Sequence, residues 1–205
     1  IILVGSGKRD PAETLRVVEA RDFASDLLLK EVQERVVAVL HMAEALSSKY
    51  HVVVANPPYM GGKGMNDNLS DMLKSAYPNS KYDLFAAFID RSHILNIDHA
   101  FSALVTMESW MFISRYEAFR SEFFERSAIQ SMVHMPYLGK GGTSMGINFG
   151  TTAFVTERAR KERYSGNYNC VRYFECDDQG VPLSFPVQNE RLSVSSTVDF
   201  EALPG

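Results

Sequence analysis

From Phe23 to Lys49 apolar residues recur at three- and four-residue spacing, through Leu27, Leu28, Val32, Val36, Val39, Leu40, Ala43 and Leu46. That period predicts one long amphipathic helix. It gives way to His51-Val52-Val53-Val54-Ala55-Asn56, a run of β-branched residues that reads as a short strand covered on both faces. Upstream, Pro11 near a helix start with Leu15, Val17 and Val18 makes a segment that fits helix or strand. Downstream, a Gly/Asn/Asp-rich loop from Met60 to Lys81 precedes a second helical pattern at 82–97, carried by Leu84, Phe85, Phe88, Ile89 and Leu95.

Two further strand-like runs, 101–107 and 129–135, flank a helical pattern at 114–127, and a glycine-rich loop leads into a last strand beginning at Thr151. Strands alternating with helices predict an α/β fold, a mostly parallel sheet with helices on both faces. No helical pattern joins the last two strands, so they are expected to pair as an antiparallel hairpin at one edge. Beyond Lys161 the composition shifts to Tyr, Asn, Asp, Ser and Pro without a clear period. The expected organisation is a helical lead-in over 1–50, the main sheet over 51–161 and the start of a further region or linker over 162–205.

Composition narrows the function classes. With 205 residues, 45% hydrophobic and 22% charged, the chain is an ordinary globular one, long enough for a sizeable core. It lacks a run of about 18 apolar residues and a signal-peptide pattern, so a soluble, cytoplasmic protein is expected. Cys170 and Cys176 are too few for a disulfide framework, and none of the five His has a partner at metal-ligand spacing, so no metal is expected. A net charge of −4 argues against a general nucleic-acid-coating role; any such contact has to be local. The opening "IILVG" without Met and the ending "EALPG" look like a piece cut from a longer protein.

The chemistry concentrates where the strand of valines ends, at Asn56-Pro57-Pro58-Tyr59. Ligands of an open parallel sheet bind outside the carboxyl ends of its strands. Two prolines fix φ and carry no N–H, so the turn presents carbonyl acceptors without competing donors. The Asn56 carboxamide adds an acceptor, and Tyr59 offers a flat ring for stacking. Two acceptors beside an aromatic face suit an exocyclic amine. Donation from both N–H bonds to Asn56 and the Pro57 carbonyl draws the nitrogen towards tetrahedral geometry and frees its lone pair for attack. A base so treated has to leave the duplex stack, and Tyr59 repays part of that few kcal/mol.

This tetrapeptide matches the (N/D/S)PP(Y/F/W) motif of amino-methyltransferases that act on DNA, RNA or protein amides. The segment "KYDLFAAFIDRSHIL" resembles the helix after that motif in γ-class N6-adenine DNA methyltransferases. The run "VVVANPPYMGGKGMN", with "SWMFISRYEAFR", "MVHM", "NFGTTAFV" and "FPVQNER", is similar to the PglX family of BREX phage-defence systems over residues 50 to 195. The resemblance implies the C-terminal half of a Rossmann-like methyltransferase core, with 51–161 as its catalytic part and 162–205 as the start of a target-recognition region. It also implies S-adenosylmethionine as cofactor, double-stranded DNA as substrate and other phage-defence proteins as possible partners.

On that basis Asn56, Pro57, Pro58 and Tyr59 are the catalytic candidates. Phe88 would pack against the cofactor's adenine, or serve as an ordinary core residue. Asp83 would orient the cofactor or the motif loop, or interact with a helix dipole. Lys63 in "GGKGMND" is a candidate phosphate contact and Phe149 a candidate lining of the base pocket. "RARKER" at 158–163 could touch phosphates, but a solvated strand end is the expected reading. The family's main cofactor loop is expected to be missing from this stretch: Gly5 and Gly7 in "ILVGSG" are read as turn residues, so cofactor binding should be weak or absent. "GSGKRD" lacks the first Gly and the Ser/Thr of a phosphate-binding loop. The alternatives are methylation of an RNA base or a glutamine amide, or an inactive scaffold that binds DNA or a partner.

Overall fold

A computed structural model describes residues 10–23, 26–135, 150–159, 164–177, 182–184, 186–196 and 198–199. The chain divides into two compact units, Ile1–Lys49 and Tyr50–Gly205. Among the described residues, no helix is long and apolar enough to cross a membrane.

The first unit is a pair of helices, α1 (Pro11–Glu19) and α2 (Leu27–Ser47). Asp10 accepts from Ala12 N at 3.1 Å and Pro11 takes the first helical position, so the ambiguous segment resolves as helix. Asp26 caps α2 through Leu28 N and Leu29 N. Gln33 Nε2 ties the two helices by donating to the carbonyls of Val18 at 2.7 Å and Arg21 at 2.8 Å.

The second unit is built on a six-stranded sheet. Its elements are β1 (Tyr50–Ala55), α3 (Asp67–Ala76), α4 (Leu84–Leu95), β2 (Asn96–Met107), α5 (Ser109–Phe112), α6 (Glu117–Arg126), β3 (Ala128–Met135), β4 (Thr151–Glu157), β5 (Ser165–Cys170) and β6 (Leu192–Ser196). The order across the sheet is β1-β2-β4-β3-β5-β6. β1, β2, β3 and β5 run the same way, while β4 and β6 run against them. The mostly parallel α/β sheet is as expected. The β3–β4 antiparallel pair also forms, but β4 lies between β2 and β3 in the interior, and the antiparallel pair at the edge is β5–β6. The change of composition near residue 162 therefore does not interrupt the sheet.

One face of the sheet carries the core. Phe85, Ala86 and Ile89 from α4, Trp110 from α5, and Tyr116, Phe119 and Phe123 at α6 pack on Leu104, Ile129, Met132 and Phe154. The rings meet mostly edge to face, Trp110 lying 5.4 Å from both Phe123 and Phe154. The other face departs from expectation. Val52 and Val54 are 57% and 75% exposed and Phe101 is 40% exposed. Among the described residues, β1 is thus not covered on both faces, since the side chains of Val52 and Val54 stay exposed, and it is also an edge strand, paired only with β2. A shallow aliphatic hollow of about 330 Å³ runs along this face past Val54, Ala103, Val105, Val133 and Val155 to Asn56.

Further elements were not expected. The segment read as one loop, 60–81, contains α3, whose N-terminus is capped by Asn66 Oδ1 accepting from Leu69 N at 2.9 Å and which buries Leu73. β5 and β6 extend the sheet from a region without apolar period. Their junction with β3 requires Gly166: a Cβ there would stand 2.2 Å from the Ile129 carbonyl oxygen, beside the bulge where the β3 register shifts.

Candidate active site at the carboxyl edge of the sheet

The valine strand delivers Asn56-Pro57-Pro58-Tyr59 to the carboxyl edge of the sheet, as the sequence pattern required. Asn56 points outward and is exposed; Pro57 is buried beneath it, Pro58 is exposed and Tyr59 is half-buried. The Tyr59 ring sits edge-on to Phe85, 6.2 Å between centroids at 76°, and its hydroxyl donates to Asn56 Oδ1 at 3.3 Å. Burial pushes the Tyr59 phenol above its usual range, so it stays a neutral donor at ordinary pH.

The turn after the motif is fastened to α4. Asp83 Oδ1 accepts from Met60 N at 3.0 Å and from Phe85 N at 3.3 Å, so one oxygen holds the motif loop and caps the helix together. Leu84 N donates to the Met60 carbonyl at 3.0 Å, and Gly61 bridges Asp83. Burial raises the Asp83 carboxyl, with the hydrogen bonds from Met60, Phe85 and Leu84 opposing it. Of the three roles open to Asp83, these bonds correspond to fixing the loop and the helix end. Farther along α4, buried Asp90 accepts from Ser80 and Arg126, anchoring the helix to the end of α6.

The remaining candidates fall as follows. Phe88 is 39% exposed on α4 and outside the core cluster, so it is not an ordinary core residue. Lys63 lies on the turn just past the motif and lines a cleft with other cations. Phe149, Gly5 and Gly7 lie outside the described residues. Of the 158–163 basic run, Arg158 turns back on the fold, donating to the Asn96 carbonyl and facing Asp98 at 3.5 Å.

Sequence reasoning missed a polar row along the same edge. Glu108 follows β2, His134 stands one residue before the end of β3, and Cys170 closes β5. Glu108 Oε2 lies 2.5 Å from His134 Nε2, and His134 Nδ1 is 3.8 Å from Cys170 Sγ. The available signal was positional, since each residue ends or follows one of the codirectional strands. The imidazole uses opposite nitrogens for its two neighbours, and no group of ligands among the described residues could hold a metal ion.

Residues 13–139 match the family model described as Eco57I restriction-modification methylase. The chain belongs to this family. Two relatives are similar over most of its length. The adenine-specific methyltransferase BrxX of Escherichia coli O9:H4 (strain HS) is 35% identical over 182 residues, 88% of this chain and 15% of the relative. The adenine-specific methyltransferase PglX of Lacticaseibacillus casei (strain Zhang) is 32% identical over 173 residues, 82% of this chain and 14% of the relative. The chain thus spans about 15% of the length of the curated relatives it matches. The similarity to PglX read from the sequence is borne out. Among solved structures, the DrdV–DNA complex superposes with a TM-score of 0.52 over 78% of this chain and 18% of that one, at 14% identity. At that identity the likeness is one of fold. Within the matched residues, Asp83 pins the turn that follows Asn56-Pro57-Pro58-Tyr59.

Proposed function

We propose that this chain is the amine-presenting half of an S-adenosylmethionine-dependent methyltransferase that modifies adenine N6 in duplex DNA within a restriction-modification or BREX-like defence system. The observation that carries the reading is the outward, exposed Asn56 carboxamide at the mouth of β1, with the Tyr59 ring beside it and a buried proline beneath. Membership of the Eco57I methylase family and the names of the two relatives support it.

In this reading the extruded adenine stacks on Tyr59 and its amino group donates to Asn56 Oδ1 and the Pro57 carbonyl. Those acceptors stabilise positive charge as it grows on nitrogen. Pro58 stiffens the turn, and Asp83 keeps Met60, hence the acceptors, in register with α4. S-adenosylmethionine, when bound, supplies an electrophilic methyl carbon on a sulfonium. With that group bound, Asn56 and the Pro57 carbonyl would hold the amine with its lone pair free for the methyl carbon, and the N–H proton that the amine gives up would pass to solvent water. Phe88 offers its ring to the cofactor's adenine, and Phe149 and Lys63 serve the base and the strand.

Replacing Asn56 with Ala in the intact protein tests the proposal. Loss of one such electrostatic partner lowers kcat by about 10²–10³, with the fold unchanged by circular dichroism. Methyl transfer is to be assayed on duplex DNA, RNA and glutamine-containing protein side by side. Near-normal activity of Asn56→Ala, or transfer to RNA or protein and not to DNA, overturns it.

A further inference from the structure

Beside the motif loop the fold gathers positive charge in a chain whose net charge is −4. A cleft of about 470 Å³ is lined by Lys63, Ser70, Lys74, Lys81, Tyr82 and Arg115. These residues come from the turn after the motif, from α3, from the turn leading into α4 and from the turn before α6, so only the folded chain brings them together. No Asp or Glu is among the lining residues. Two acids border it: Asp71 pairs with Lys74 at 3.0 Å on the exposed rim, and Asp83, which accepts from Met60 N and Phe85 N, also feels the positive charge of Arg115. At the wall, Tyr82 lies under the Lys81 ammonium at 5.5 Å and the Arg115 guanidinium at 5.9 Å, which keeps both cations oriented.

We propose that this cleft binds the sugar-phosphate backbone of the DNA strand whose adenine is extruded, with Lys63, Lys74, Lys81 and Arg115 meeting consecutive phosphates. The inference rests on the methyltransferase reading and extends it from the base to the strand. Position supports it. Two residues separate Tyr59 from Gly62 at the cleft, three steps along the chain that span at most about 11 Å, which puts the cleft alongside the nucleotides flanking one stacked on Tyr59. A second link is mechanical: the rings of Tyr59, Phe85, Tyr116 and Tyr82 form a continuous series at 5.8 to 6.2 Å centroid spacing from motif to cleft wall. Chemistry supports it too. Phosphate contacts position a duplex without reading sequence, and four cations with a hydroxyl and no carboxylate in the lining suit a phosphodiester chain.

The test is the salt dependence of duplex binding by the intact protein, read by fluorescence anisotropy on a labelled duplex between about 50 and 200 mM salt. Two to four lost phosphate contacts at roughly 0.9 each lower the log–log slope by about 1.8 to 3.6. That drop is expected for the combined Lys63→Ala, Lys74→Ala, Lys81→Ala, Arg115→Ala variant. If this variant does not fold, the pairs Lys63→Ala/Lys81→Ala and Lys74→Ala/Arg115→Ala each lower the slope by about 0.9 to 1.8, and Lys-to-Arg exchanges at 63, 74 and 81 keep it. An unchanged slope in the folded variants, or a drop seen with duplex RNA and not with DNA, overturns the proposal. The two readings fail separately. The expected slope drop in the variants, together with wild-type protein that transfers no methyl group to DNA, sinks the enzymatic reading alone. A methylating quadruple variant with the wild-type slope sinks the cleft alone.

Discussion

The Tyr59 hydroxyl donates to Asn56 Oδ1 across 3.3 Å, so the acceptor assigned to the substrate amine is already engaged in the free protein. The bond is at the long end of its class, and a neutral hydrogen bond contributes only about 0.5–1.5 kcal/mol net. An arriving amine displaces it at small cost. Tyr59→Phe removes the competitor and keeps the ring, so kcat/KM should stay within about tenfold of wild type. Tyr59→Ala loses a stacking contact of about 1–3 kcal/mol, or about 5- to 150-fold. Steady-state kinetics on duplex DNA decide; equal losses in both variants would move the role from ring to hydroxyl.

Asp83 should separate geometry from titration. Asp83→Ala removes the helix cap, about 1 kcal/mol, together with the Met60 bond, and should lower both the melting temperature and methyl transfer. Asp83→Asn keeps an amide oxygen where Oδ1 accepts both bonds, so its activity should lie near wild type.

The same pair of variants gives a pH signature. Burial raises the folded Asp83 carboxyl above its unfolded value. The native state then binds the proton more tightly, so this residue's contribution is fully present below the ordinary carboxylate range and is lost as pH rises through the folded value. Asparagine cannot titrate. Urea midpoints of Asp83→Asn relative to wild type should therefore rise from pH 3 towards neutrality and level off; a difference that falls with pH contradicts the assignment.

Asp90 and Arg126 offer a test of the scaffold. Asp90 is buried, and its removal leaves a guanidinium whose Nε already has no partner among the described residues. Breaking a buried pair costs 3–5 kcal/mol; because the Arg126 side chain is 32% exposed, about 2–3 kcal/mol is expected for Asp90→Leu. The double variant Asp90→Leu/Arg126→Met should recover much of this, since no charge is stranded. Denaturant unfolding of the three proteins measures it.

Gly166→Ala should act on the sheet alone. A methyl group at 2.2 Å from the Ile129 carbonyl meets backbone, which cannot step aside as a side chain can. Overpacking of this kind costs about 1–3 kcal/mol, and hydrogen exchange should quicken in Asn167–Cys170 while Leu104 and Phe154 stay protected.

What the sequence displayed follows from what is local. The runs at 51–55, 101–107, 129–135 and from 151 are strands because their β-branched and apolar residues carry the signal themselves, and the tetrapeptide announces its chemistry within four positions. α3 was hidden because the Gly and Asn around it outweighed one buried leucine, although Asn66 was a legible cap. β5, "SGNYNC", owes its strand to pairing with β3 and to a glycine that a bulge demands. The exposed face of β1 depends on which layers pack on the sheet and the interior place of β4 on strand order, neither of which periodicity encodes. The basic cleft draws on positions 62 to 115 and exists only after folding.

Asp83 is followed by α4 and preceded by Lys81 and Tyr82, which wall the cleft, while its carboxylate grips Met60 one residue past the tetrapeptide. Strain applied to that wall therefore has a short, stiff route to the amide at the strand's end. In the proposed reading, grip on a strand and aim at its base become a single mechanical act, routed through one oxygen atom.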